Sequence, residues 1–396
     1  MTVAGAKRSL SPPLRFEEVS TLRRARPGGF ESTASLLALS FVCLATAPTA
    51  ALAQESASLP PGHATPADES PTPKLQIRGF GNIDFLHHGD GTPNNFAVGE
   101  LDFFTTSQLS EDVSVLAEVV FEPGDNDEPL IDIERYQIKY SPSDLFNVAF
   151  GRMHSALGYW NQTFHHGAWF QTTAFRPEIY HFEDEGGVLP VHEVGVQVSG
   201  TKALGVPQLE YNVSVTNGRG IVRTEVETFR DSNPAKAVNL WLGLTPRPRA
   251  GLKLGGALRF DMIPPNPANE ARKHELKERI VSGFLAFERG RQELLAEVIR
   301  MRHEDAPNAR TYTTLGYYVQ AAYRFGRLKP YYRFDSVDHG AGDPFYGGGD
   351  DDIRRHTLGL RADPWIWVCI KLEFSHNDPA PGESFGAGAL QVAFTF

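Results

Sequence analysis

The last ten residues, 387-AGALQVAFTF-396, decide the fold. Leu390, Val392, Phe394 and Phe396 share one parity, while Ala389, Gln391, Ala393 and Thr395 share the other. Successive side chains of a strand point to opposite faces, so the segment presents an apolar row one way and small or polar groups the other. That is a half-buried β-strand, and the same alternation recurs upstream. Residues 75–86 set Ile77, Ile83 and Phe85 against Gln76, Arg78, Asn82 and Asp84. Residues 209–216 set Leu209, Tyr211, Val213 and Val215 against Glu210, Asn212 and Ser214.

A final strand with this apolar row, closing on Phe396, resembles the C-terminal strand of bacterial outer-membrane β-barrels. The resemblance implies that Leu390, Val392, Phe394 and Phe396 form the barrel-closing signature, read by the barrel-assembly machinery, and that this strand pairs with the one starting near Leu75. Composition agrees: the chain is 41% apolar with no mature run approaching the ~20 apolar residues of a spanning helix. Barrel strands hide their apolarity by alternating it, with charge on the inward parity. A β-sandwich would bury that parity, where repeated Glu, Lys and Arg are prohibitive.

Export is expected from the N-terminus. Arg23, Arg24 and Arg26 precede an apolar run over 34–47, and Ala51-Leu52-Ala53 offers a small-residue cleavage site before Gln54. Residues 1–53 therefore read as a cleavable signal peptide, 54–73 as a Pro/Ser/Ala-rich periplasmic linker and 74–396 as the barrel. Residues 1–53 hold six basic and three acidic residues, so their removal takes the formal net charge from −10 to −13. An acidic balance without a basic tract argues against a nucleic-acid partner. Cys369 would be the one remaining cysteine and reads as a small hydrophobe in an apolar strand.

The connections alternate in length. Links at 110–112, 141–144 and 325–327 are tight, whereas those at 89–95, 155–190, 220–235 and 338–352 are longer. Short periplasmic turns alternating with long external loops give an all-β, antiparallel transmembrane barrel of about sixteen strands. A barrel of that size leaves an aqueous lumen. Some segments fit imperfectly. In 131–140 the parity of Ile131 and Ile133 conflicts with that of Tyr136, Ile138 and Tyr140, which predicts a bulge or a strand end above the membrane. In 292–303 the outward face is either Leu294, Ala296 and Val298 or Leu295, Ile299 and Met301. Residues 268–277 read as a short helix in a loop.

The longest connection, 155–190, follows Gly151-Arg152-Met153 and contains Gly158-Tyr159-Trp160. This passage resembles the strand-to-loop junction of sixteen-stranded general and phosphate-selective porins of Gram-negative outer membranes, whose third external loop folds into the lumen. The loop carries Trp160, Phe164, Trp169, Phe170, Phe175 and Tyr180, then the acidic Glu183, Asp184 and Glu185. Aromatics are costly to leave in water, so they are expected to anchor the loop to the wall while the acids face the pore. Inward parity adds Arg78, Glu100, Asp102, Glu118, Lys139, Arg259, Arg333 and Arg361 as pore-lining candidates, with Arg152 ambiguous at its strand end. Opposed charges across a pore set a transverse field that selects among ions.

The expected function is passive diffusion of small hydrophilic solutes or ions, with outer-membrane lipid and lipopolysaccharide around the barrel. The resemblance to porins implies a homotrimer. No cofactor is implied. The adjacent pairs His87-His88 and His165-His166, with His181, complete no metal-ligand spacing, since neighbouring side chains point apart. Acidic runs at 125–128 and 350–352 lack the offsets of an EF-hand loop. No P-loop, G-x-G-x-x-G or G-x-S-x-G motif supports an enzyme. The rival readings are a barrel enzyme of lipase or protease type and a structural or adhesive barrel with a plugged lumen.

Overall fold

The structure, a computed structural model, describes residues 73–89, 91–123, 129–165, 167–182, 187–225, 230–346 and 352–396. The expected signal peptide and the linker up to residue 72 lie outside them. Among the described residues are sixteen strands: β1 (Lys74–His88), β2 (Asn95–Gln108), β3 (Val113–Pro123), β4 (Pro129–Ser143), β5 (Phe146–His154), β6 (His192–Ala203), β7 (Gln208–Asn217) and β8 (Lys236–Thr245) form the first half. The second half is β9 (Leu252–Ile263), β10 (Leu276–Arg289), β11 (Gln292–Asp305), β12 (Arg310–Tyr323), β13 (Leu328–Asp338), β14 (Asp352–Trp365), β15 (Val368–Ala380) and β16 (Phe385–Thr395). Every strand pairs antiparallel with its sequence neighbours, and β1 pairs with β16, so the sheet is closed. Closure leaves no edge of unpaired N–H and C=O groups, a condition for crossing hydrocarbon with strands.

The seam is built by size complementarity. Gly81 faces Phe394 in the register, and Gly79 exchanges two backbone hydrogen bonds with Phe396, at 2.8 and 3.0 Å. A Cβ on Gly79 would lie 2.1 Å from the Phe396 ring, and one on Gly81 2.9 Å from the Phe394 ring. The two glycines of β1 therefore give the rings of β16 a flat place to lie, and Phe103 meets Phe396 edge-on.

Outward rows are apolar over the middle of the strands, from Ile83 through Val213, Leu242, Leu258, Val319, Leu358 and Leu372 to Leu390. Trp365, Ile366, Trp367, Phe325 and Phe146 are exposed at the short-turn end, where an aromatic belt meets the membrane interface. The β14–β15 turn falls at Ile366 and Trp367.

The irregular segments resolve as follows. The β3–β4 register shifts between Glu118 and Val119, so Glu118 opposes Arg135 while Val119 opposes Ile133. This bulge lets Ile131 and Ile133 share the outward face with Tyr136, Ile138 and Tyr140, all of them exposed. In β11 the outward row is Leu294, Ala296 and Val298, and the equally apolar Leu295, Ile299 and Met301 are buried inside the lumen. Residues 268–277 contain only a 3₁₀ turn, Glu270–Arg272, before β10 begins.

Candidate functional site

Strand β5 has nine residues against fifteen in β4, so the chain leaves the wall early and loop 155–190 turns into the barrel. Gly151, at φ +136°, lets β5 press against β4: a Cβ there would lie 2.0 Å from the Tyr136 carbonyl oxygen. The twist carries Arg152 off the outward parity of Phe150 and buries it, with its Nε donating to the Glu134 carbonyl at 3.0 Å. The loop's two ends are tied together. Ser155 N donates to Val191 O at 2.9 Å, Ser155 Oγ to Pro190 O, and Asn161 Nδ2 to both Ser155 O and Val191 O at 3.1 Å.

A one-turn helix, α1 (Trp160–Phe164), docks on β11. Glu297 accepts four hydrogen bonds there: from Tyr159 N (2.7 Å), Trp160 N (2.8 Å), Tyr180 Oη (2.7 Å) and Tyr318 Oη (2.8 Å). Gly158, at φ +80°, allows this approach, since a Cβ would sit 1.7 Å from the Tyr180 hydroxyl. Burial and the Glu297 carboxylate push the Tyr180 phenol up, which keeps it a donor. Trp160 stacks on Tyr180, and Leu157, Ile179, Val188 and Leu189 join Leu295, Ile299 and Met301 in one apolar cluster inside the lumen. The inward apolar row of β11 is thus the seat of the loop.

The stretch 168–178 runs along β13–β16, held through its backbone. Arg333 donates to Thr173 Oγ1 (2.9 Å), Phe175 O (2.8 Å) and Arg176 O (3.1 Å). Arg361 Nη1 donates to Trp169 O (2.8 Å) and Gln171 O (2.7 Å), and Lys371 Nζ to Ala168 O and Thr173 O. Glu373 accepts from Ala174 N, and Asp335 from Glu178 N. Phe170 packs on Phe80 of β1, with ring centroids 4.9 Å apart.

Arg333 and Arg361 therefore point inward as their parity predicts, but they lie under the loop and hold it rather than face open solvent. Arg259 is likewise covered, bonded to Glu193, Asp261 and Glu278, while Glu278 also meets Arg219 and His303. Phe345 and Tyr346, from the link between β13 and β14, close over this group. The β8–β16 side of the lumen is filled in this way.

The opposite wall is wetter. Phe104, Thr106, Leu116, Gln137, Lys139, Gln197 and Ser199 on β2–β6 face inward and are partly exposed. Where the two sides meet, Lys253 of β9 and Glu210 of β7 pair at 2.7 Å, each about a quarter exposed (24% and 25%). Of the other candidates, Glu100 is partly exposed, Asp102 is buried, Glu118 is paired with Arg135, and Arg78 is exposed at the start of β1. The loop answers this acidic stretch with Arg176, whose Nη2 lies 4.0 Å from Glu100 Oε1. Phe182 and Trp160 support the guanidinium, at 4.0 and 5.7 Å from the ring centroids. Glu183, Asp184 and Glu185 lie outside the described residues.

Beside Arg176, His181 is pushed down to about 3 by burial and by the charges of Arg355, Arg176 and Arg333. It is neutral near pH 7, so its 3.8 Å approach to Glu178 is not an ion pair. Sequence reading missed Glu297, Arg176 and the docking role of β11. The doubly apolar pattern of β11 is the signal that would have found the last.

A closed sixteen-stranded antiparallel barrel with its third long loop folded into the lumen is the fold of bacterial outer-membrane porins. Among solved structures, the chain is similar to the anion-selective porin of Comamonas acidovorans, with a TM-score of 0.58 at 11% identity over 82% of this chain and all (100%) of that one. It is also similar to the outer-membrane channel DcaP of Acinetobacter baumannii, with a TM-score of 0.54 at 14% identity over 82% and 97%. A third is the trimer form of OmpT, an outer membrane protein of Vibrio cholerae, with a TM-score of 0.55 at 8% identity over 82% and 99%. No protein-family model and no curated protein matches the sequence.

Proposed function

We propose that this chain is an outer-membrane, porin-type channel for passive diffusion of small hydrophilic solutes or ions. The observation that carries the reading is the unequal division of the lumen: loop 155–190 and its neighbours fill the β8–β16 side, and the β2–β7 wall keeps partly exposed polar and charged groups. Solutes pass between that wall and the loop, through a crossing bounded on one side by the contact of Arg176 with Glu100 at 4.0 Å. Selection follows from size at this crossing and from the field between the loop and the Glu100, Glu118–Arg135 and Lys139 wall. No enzymatic role is part of this reading. Export through a signal within 1–53, insertion by the barrel-assembly machinery into lipid and lipopolysaccharide, and a homotrimer, the form taken by one similar barrel, belong to the same proposal.

Liposome swelling with sugars of increasing size tests it. Uptake that falls steeply with solute size supports a channel, and liposomes that stay tight to the smallest sugar contradict one. A structural barrel with a filled lumen is the second reading, favoured by the loop's contacts with Phe80 on β1 and Glu100 on β2. Neutralising Glu183, Asp184 and Glu185 together tests their share: unchanged ion selectivity removes them from the path.

A further inference from the structure

Three histidines that no spacing in the sequence connects meet at the root of the inward loop. His154 ends β5, His192 opens β6 directly opposite it in the register, and His165 follows α1. One nitrogen from each of the three rings lies within 4.8 Å of the others. Ring centroids are 4.2 Å apart for His154–His165, 4.5 Å for His165–His192 and 5.5 Å for His154–His192.

The surroundings set the rings as ligands. Asn161 Oδ1 lies 2.5 Å from His165 Nδ1, and a hydrogen bond there makes Nε2 the coordinating atom. Asn161 is itself buried and anchored to Ser155 and Val191, so His165 is aimed by the knot that ties the loop's ends. Glu134 brings a carboxylate oxygen 2.8 Å from His192 Nε2. Phe182 stacks on His192 and excludes water from one side.

We propose that His154, His165 and His192, with Glu134, form a site for a late first-row divalent metal ion such as Zn²⁺. Imidazole and carboxylate suit these ions, and three neutral imidazoles with one anionic oxygen is a tetrahedral donor set. Ligand nitrogens around tetrahedral zinc stand about 3.3 Å apart at bond lengths of about 2.0–2.1 Å, so closing the cluster from separations within 4.8 Å draws each nitrogen inward by about 1 Å. A bound ion would join the loop to β4, β5 and β6. It would act one residue contact away from Arg176, which donates to the His165 carbonyl at 3.3 Å. The site does not depend on whether the barrel conducts.

The test uses the full folded chain in detergent, without an affinity tag, and the metal alone. Zn²⁺ is titrated by competition with a chromophoric chelator, and Co²⁺ is added as a spectroscopic probe. One equivalent bound, with the intense visible bands of four-coordinate cobalt, is expected. His165→Gln and His192→Gln should each weaken binding about 100-fold or more, and Glu134→Gln about 10-fold. His356→Gln, on the outward face, should change nothing. Should a variant fold poorly, the wild type still decides: Zn²⁺ should slow chymotrypsin cleavage within 155–190, and a chelator should restore it. Absence of a one-to-one site in the wild type, or binding unaltered in folded His165→Gln and His192→Gln, overturns the proposal.

Discussion

Replacing Glu297 with leucine should release loop 155–190 from the wall without opening the barrel. The carboxylate accepts two backbone amides, Tyr159 N and Trp160 N, and two phenols, Tyr180 and Tyr318. Leucine keeps similar bulk beside Leu295 and Ile299, so packing changes little. The phenols can turn toward other acceptors, but the two amides are fixed by the turn that starts α1. A buried donor left without an acceptor costs about 1–3 kcal/mol, so the pair costs about 2–6 kcal/mol of docking energy. Even the lower figure raises the undocked population about 30-fold. Chymotrypsin reads this directly, because cleavage follows the open population when reclosing is fast. Sites within 155–190 should be cut about 30-fold faster or more, while heat-shifted electrophoretic mobility shows an intact barrel. Tyr318→Phe, which removes one phenol, should cost only about 1 kcal/mol. Cleavage of Glu297→Leu within twofold of wild type would refute the assignment of this carboxylate as the loop's main anchor.

Three further outcomes follow from the same geometry. Gly79→Val should lower the folded fraction sharply because its side chain enters the Phe396 ring, whereas Gly283→Val, whose nearest neighbour would be 3.8 Å away, should assemble normally; electrophoretic mobility separates the two. His181 takes up a proton in the unfolded chain near pH 6.5 but in the folded chain only near pH 3, so docking should weaken as pH falls through that window and be pH-independent through this group above it. Cleavage within 155–190 by a protease active across this range, scored at each pH against an unfolded substrate, should therefore rise between pH 7 and pH 4 in wild type and less in His181→Gln. Arg176→Ala removes the cation facing Glu100, so reversal potentials in a salt gradient should move toward cation selectivity.

Much of the architecture is legible in the sequence because strand alternation in a membrane barrel is enforced twice, by lipid outside and by water inside. The rows ending at Leu390, Val392 and Phe394 show it, as does the pairing of that strand with β1. The conflict of parity in 131–140 could be read as a bulge because both halves must still face lipid. Legibility fails where the lumen is not water. Leu295, Ile299 and Met301 face inward because a loop covers them, and parity alone leaves β11 undecided. Arg333 and Arg361 have inward parity for the same reason a pore ladder would, yet their partners are loop carbonyls that no local pattern announces. Arg152 escapes parity through the backbone of Gly151. His154 and His192 meet only through the β5–β6 register, across the whole of the loop between them.

The most direct measurement is single-channel recording in planar bilayers of the folded wild type beside a variant with 155–190 replaced by a short link. Discrete conductance steps in the wild type, and larger ones in the variant, are the predicted result. Folded wild-type protein that gives no steps while the shortened variant conducts would mean that the loop plugs the lumen, contradicting the channel.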